Sequence, residues 1–287
     1  HFESLTDPRR GKVTYPLIDI VVMMLCAVIG GADDFVGIAV WAKANRKWLS
    51  RFLDLSAGIP SHDRFNAILA RLKPEEFERC LLSWITSLHE VSAGKIIAID
   101  GKTLRGSYDK REGKAAIHMV SAWATAHHIS LGQVVTDAKS NEISAIPQLL
   151  ELLEIEGAIV TIDAMGCQTE IVEKIVARGA VACLAVKDNQ PKLHEAIEAH
   201  FDALIESGEL EATARTTDTE EAGHGRQEHR CYAICPVPHG VKNLGRWPLV
   251  KAIGMVTSLI YRDGAEHTAV RYYILTRYLS AQRFASA

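Results

Sequence analysis

Two short β-branched apolar runs, each closed by an aspartate, constrain this chain more than any other feature. Residues 96–99, I-I-A-I, run into Asp100, and residues 158–162, A-I-V-T-I, run into Asp163. Runs of this kind form strands buried on both faces. A carboxylate at the end of such a strand calls for a partner. After Asp100, Gly101 permits a sharp exit, and Lys102, Arg105, Lys110, Arg111 and Lys114 follow against only Asp109 and Glu112. Neighbouring parallel strands lie roughly 5 Å apart, so two such carboxylates could share a divalent cation. Unpaired at that spacing they would repel, and a cation, a lysine or a proton must intervene. The bland alternative for Asp100 is a turn cap paired with Lys102.

The chain's 287 residues suffice for a sizeable core and two domains. A net charge of −3 and a pI near 6.5 put any nucleic-acid binding on local basic clusters rather than on overall charge. The six cysteines form no C-x-x-C pair and no Cys/His knuckle, which argues against a structural zinc site and for free thiols in a reducing cytoplasm. The apolar run 18–29 contains Asp19 and is too short to span a bilayer. It also lacks the flanks of a signal peptide. The chain starts at His1 without a methionine, as a fragment or a processed chain would.

Residues 16–90 read as helices. Pro16 opens the first, buried nearly all round, and Gly30-Gly31 ends it. A second, over 35–53, gathers Lys43, Arg46, Lys47 and Arg51 on one side. Ser61 can cap a helix through 72, and Pro74 starts another to 89. Short helices with tight turns suggest a helix-turn-helix in which Arg64 and Asn66 could face DNA, with plain helical packing the alternative.

Beyond residue 95, strands at 116–125 and 129–136 flank a His127-His128 turn, and Glu142 stands near the start of the next helix. A helix at 169–178 and a strand at 182–186 complete the order β-β-β-α-β-α-β, a ribonuclease-H-like mixed α/β sheet with flanking helices, and a further helix at 191–205 follows. Lys187 closes the last strand of that core. Residues 206–221 read as an acidic linker. After it, strands from 224, at 250–261 and at 268–275, form a small β layer whose His224, Arg226, Glu228 and Arg230 share one face. The organisation expected is therefore a helical domain over 1–92, a catalytic core over 93–205, and a linker with a β-rich insertion over 206–287.

Several ordered motifs carry a family resemblance. They are G-I-P-S-H-D at 58–63, I-A-I-D-G-K-T-L-R at 97–105, K-S-N-E-I at 139–143, T-I-D-A-M-G-C-Q at 161–168, A-V-K-D-N-Q at 185–190, H-G-R-Q-E-H-R at 224–230 and R-Y-Y-I at 271–274. In these the sequence resembles DDE insertion-sequence transposases of the ISAs type, the group that includes the H-repeat-associated proteins. The resemblance implies a helical N-terminal associated domain and a ribonuclease-H-like catalytic domain with a β insertion. It implies that Asp100 and Asp163 are the first two members of an acidic triad holding two Mg2+ (or Mn2+) ions for phosphodiester cleavage and strand transfer. The implied partners are double-stranded DNA, as terminal inverted repeats and target, and a second copy of the chain.

In similar proteins the third acidic residue sits in a segment resembling H-W-x-x-E-N on a helix after the last insertion strand. This chain stops at Ala287, where that helix would begin. Glu142 is the local candidate, in the place where ribonuclease H carries a glutamate on its first helix, and Glu228 is a weaker one. Lys102, Arg105, Lys187 and Arg226 are the candidate DNA contacts. Two other functions stand beside the transposase: a truncated remnant that binds DNA or oligomerises without cleaving, and a ribonuclease-H-like nuclease acting on another substrate.

Overall fold

The structure is a computed structural model, and it describes residues 1–11, 13–88, 95–103, 118–125, 129–136, 142–223, 226–238, 244–262 and 265–287. The chain divides into two compact units, His1–His89 and Glu90–Ala287. No helix among the described residues is long and apolar enough to cross a membrane.

The first unit contains helices α1 (Leu17–Ile29), α2 (Phe35–Ala44), α3 (Arg46–Leu49), α4 (His62–Leu69) and α5 (Pro74–Leu88). Ile20, Met23, Ala42, Leu49 and Phe65 form its core. Two expectations change here. Helix α1 is buried along one side only, since Ile18, Val28 and Ile29 are exposed. The expected long second helix is broken at Asn45, whose backbone leaves the helical region (φ −101, ψ 17) while its amide donates to the Trp41 carbonyl. That local bond competes with the next helical turn. Ser61 caps α4 as expected, its hydroxyl accepting from the Arg64 N–H at 3.3 Å.

The second unit is built on one nine-stranded sheet. In chain order its elements are β1 (Ile96–Thr103), β2 (His118–Ala124), β3 (Ile129–Thr136), α6 (Glu142–Leu152), β4 (Ile159–Ile162), α7 (Thr169–Ala177), β5 (Val181–Val186), α8 (Pro191–Ser207), α9 (Leu210–Thr213), β6 (Arg215–Gly223), β7 (Arg226–Pro236), β8 (Ala252–Arg262), β9 (Ala265–Leu275) and α10 (Ala281–Ala285). The spatial order is β3-β2-β1-β4-β5-β9-β8-β7-β6. Strands β1, β4 and β5 are parallel neighbours, and β2 and β3 are antiparallel to them or to each other. The first five strands thus have the ribonuclease-H-like arrangement expected from the element order.

Alternation gives the sheet two unlike faces. Ile97, Ile99, Val160, Ile162, Leu184 and Val186 pack into the larger core under α6, α7 and α8, where Leu149, Ile171, Ile175 and Phe201 are fully or almost fully buried. Each such side chain contributes about 1.5–3 kcal/mol by leaving water. Ile96, Ile159, Cys183, Tyr232 and Leu275 form a smaller core on the other face, closed in part by Phe284 of α10.

The expected linker does not hold. Residues 206–221 form the end of α8, the short α9 and most of β6, a polar edge strand paired along its length with β7. Nor is the β-rich segment a separate layer. Its strand β9 pairs antiparallel with β5, so β6 to β9 extend the same sheet from the edge that β5 would otherwise expose.

Candidate active site

Strand β1 does not stop at Asp100. It runs on to Thr103, pairing with β2 through Asp100↔Ser121 and Thr103↔His118, whereas its pairing with β4 ends at Ile99↔Ile162. Asp100 therefore stands where β1 parts from β4, and Asp163 stands at the matching point just past β4. Their backbones start from neighbouring strands roughly 5 Å apart.

Asp163 terminates β4 because it caps a 3-10 turn, Ala164–Gly166, its Oδ1 accepting from the Met165 N–H at 3.1 Å. Gly166 lets that turn fold back onto the strand. A Cβ there would lie 2.3 Å from Cγ2 of Ile162, far inside contact distance. The loop after β5 fastens the same turn from the side. Asn189 donates through Nδ2 to the Ala164 carbonyl, and Gln190 donates through Nε2 to the Cys167 carbonyl at 2.9 Å. These two side chains tie the ends of β4 and β5 together, which explains what the K-D-N-Q stretch does locally.

Asp100 and Asp163 line one cavity of about 530 Å3, together with Lys187, Arg230, Arg271 and Tyr273. Both carboxylates and the Lys187 and Arg271 side chains are exposed, and Arg230 is half-buried. Two acidic and three basic side chains therefore share one wall-to-wall space. Cys183 lies on its floor, and burial pushes that thiol up to about 12, so it stays protonated and offers no thiolate. The anionic donors at the strand ends are hard carboxylate oxygens, the set that suits Mg2+ or Mn2+ rather than a soft metal. The donor set fits such an ion.

The other expected site residues fall differently. Glu228 is not among the residues lining the cavity; it is buried on β7 and accepts from Arg230 Nε at 2.6 Å, while Arg230 also approaches Glu221 at 3.5 Å. That is the cross-strand ion network its position suggests. Lys102 is exposed on β1, two residues beyond Asp100 and on the same side of the strand, but is not among the lining residues. Glu142 is the first residue of α6, a helix packed on the closed face of the sheet; its side chain lies outside the described residues. Arg226 opens β7 with its side chain likewise outside them, and Arg105, His127, His128 and His224 lie outside them altogether. Among the described residues, Asp100 and Asp163 do not belong to any group of three His, Cys, Asp or Glu ligands in mutual reach.

Sequence reading missed Arg271 as a lining residue. The signal available was the alternation Arg271, Tyr273, Leu275 along β9, but that face acquires meaning only once β9 is known to pair with β5.

Fold and site together define a ribonuclease-H-like protein whose two strand-end aspartates share a cavity with basic side chains. Comparison with known proteins narrows the class. Residues 92–284 match the family described as "Transposase DDE domain", and residues 1–85 match the one described as "DDE_Tnp_1-associated". The chain is 40% identical to "Putative transposase YncI" of Escherichia coli O157:H7, over 97% of this chain and 72% of that protein. It is 37% identical to "H repeat-associated putative transposase YhhI" of Escherichia coli K12, over 100% of this chain and 77% of that protein. The chain belongs to the DDE transposase family. Among solved structures, a piggyBac transposase synaptic complex with hairpin DNA aligns over 95% of this chain and 56% of that one, at 11% identity and a TM-score of 0.37.

Proposed function

We propose that the cavity is the catalytic centre of an insertion-sequence transposase that cleaves phosphodiesters at the ends of its element and transfers the freed strand to target DNA. The observation that supports this most is the delivery of Asp100 and Asp163 from adjacent parallel strands into one cavity with Lys187, Arg230 and Arg271. Bound there, Mg2+ or Mn2+ would activate the attacking water or 3′-hydroxyl and stabilise the leaving oxygen.

The chain's own side chains take the remaining parts. Asp100 and Asp163 would hold the metal. Lys187 and Arg271, both exposed, meet the phosphates on either side of the scissile one, and Arg230 is oriented toward them by its bond to Glu228. Glu142 is the local choice for a third carboxylate, and Lys102, Arg105 and Arg226 extend the contact with the DNA backbone. The substrate is double-stranded DNA carrying terminal inverted repeats, and the working form is a homodimer in the cytoplasm.

The test is metal-dependent nicking of a duplex bearing the element's end sequence, comparing the unaltered chain with Asp163→Asn. Asparagine keeps the oxygen that accepts the Met165 N–H and removes the charge. Loss of metal binding should slow cleavage about a thousandfold, the equivalent of several kcal/mol in the transition state. Cleavage at an unchanged rate in Asp163→Asn would refute the assignment. End-sequence binding without cleavage by the unaltered chain would favour a protein that binds DNA and does not cut it.

A further inference from the structure

A second cluster of ligand-type side chains lies on the hairpin formed by β6 and β7, on the face opposite Arg230, where the transposase reading places no residue. Asp218 pairs in register with Cys231, and Glu220 pairs with His229. The two-residue spacing on each strand puts all four side chains on one face of the hairpin. One ligand atom each from Asp218, His229 and Cys231 lies within 4.8 Å of the others, the sole group of three or more such residues among those described. Cys231 Sγ is 3.7 Å from His229 Nδ1.

That separation is informative. With Zn–S near 2.3 Å and Zn–N near 2.0 Å, a tetrahedral ion would hold its sulfur and nitrogen ligands about 3.5 Å apart. The hairpin presents this spacing already. One thiolate, one imidazole and one carboxylate are also a mixed set that selects a borderline metal over Mg2+, whose preference is for oxygen alone.

We propose that Asp218, His229 and Cys231 bind a borderline divalent cation of the Zn2+ type, at a site distinct from Asp100 and Asp163. Arg230 and Tyr232 line the catalytic cavity, and Cys231 lies between them on the same strand, so it points to the opposite face of the sheet. Asp218 is exposed and the other two ligands are half-buried, which leaves the fourth position open to water. Glu220 stands in register with His229 on the same face of the hairpin. Strand β6 is the terminal strand of the sheet, and the ion would clip it to β7. No knuckle pattern marks the site, because the ligands come from two strands and meet only through their register.

The experiment adds Co2+ to the full chain under reducing conditions and follows the absorption spectrum. One Co2+ per chain should bind with a thiolate-to-metal charge-transfer band, and Zn2+ should displace it and abolish the band. Cys231→Ser should remove the band and leave the metal-free circular dichroism unchanged. Asp218→Asn should weaken Co2+ binding about tenfold or more. A combined Asp100→Asn and Asp163→Asn variant should keep the band at full strength, since the catalytic carboxylates supply no sulfur. Should Cys231→Ser fold poorly, His229→Gln carries the same comparison. No band in the unaltered chain, or a band that survives Cys231→Ser (or His229→Gln where it takes that variant's place), overturns the proposal.

Discussion

The two faces of the long sheet are made from the same strands and differ in almost everything else. On one, Ile97, Ile99, Val160, Ile162 and Leu184 meet the apolar sides of α6, α7 and α8 in a buried contact. On the other, the alternate residues Ala98, Thr161, Cys183 and Ala185 floor a cavity rimmed by Asp100, Asp163, Lys187 and Arg271, with α10 seated at its side. A one-residue step along β1 or β4 moves from one regime to the other. Stability is concentrated on the closed face, and the open face is free to carry charges that a core could not accept.

Substitutions should separate the two faces. The largest effect is expected from Phe201→Ala. Phe201 is fully buried on α8 and stacks against Tyr272 with ring centroids 6.3 Å apart. Its loss should cost about 3–5 kcal/mol in a denaturant titration, while activity per folded molecule is kept. A change under about 1 kcal/mol would mean that the helical face is not where stability resides.

Gly254→Ala should act more weakly and on the other face. Its Cβ would lie 2.5 Å from Cζ of Phe284, so α10 must shift. About 1–3 kcal/mol of overpacking cost is expected, together with faster amide exchange over residues 281–285. Unchanged exchange there would show that Phe284 does not hold α10 to the sheet.

Lys187→Ala should have the smallest effect on folding, within about 0.5 kcal/mol, because the side chain is exposed. Its effect belongs to DNA binding, where losing one phosphate contact should reduce the salt slope by about one. A slope equal to that of the unaltered chain would remove Lys187 from the contact surface.

The strands that carry the two aspartates were readable because their runs are apolar on both faces and stop at a charge. The element order then implied that β1 and β4 are neighbours, which is what brings Asp100 and Asp163 together. Strand β6 was not readable. R-T-T-D-T-E-E-A-G has the composition of a linker, and only its position at the sheet edge, where polar side chains face water on both sides, makes it a strand. The roles of Asn189, Gln190 and Arg271 were hidden for a related reason. Each depends on a partner far along the chain, in the turn after β4 or across the β5–β9 junction. Asn45 misled in the opposite direction, since the break at its backbone interrupts an otherwise continuous helical pattern.

That the two aspartates act as one metal site can be asked directly by titrating the full chain with Mn2+ and counting free ion by electron paramagnetic resonance. Asp100→Asn and Asp163→Asn should each, alone, abolish the tightest Mn2+ binding, because neither carboxylate suffices without the other. Mn2+ binding that persists at full affinity in either single variant would contradict the account.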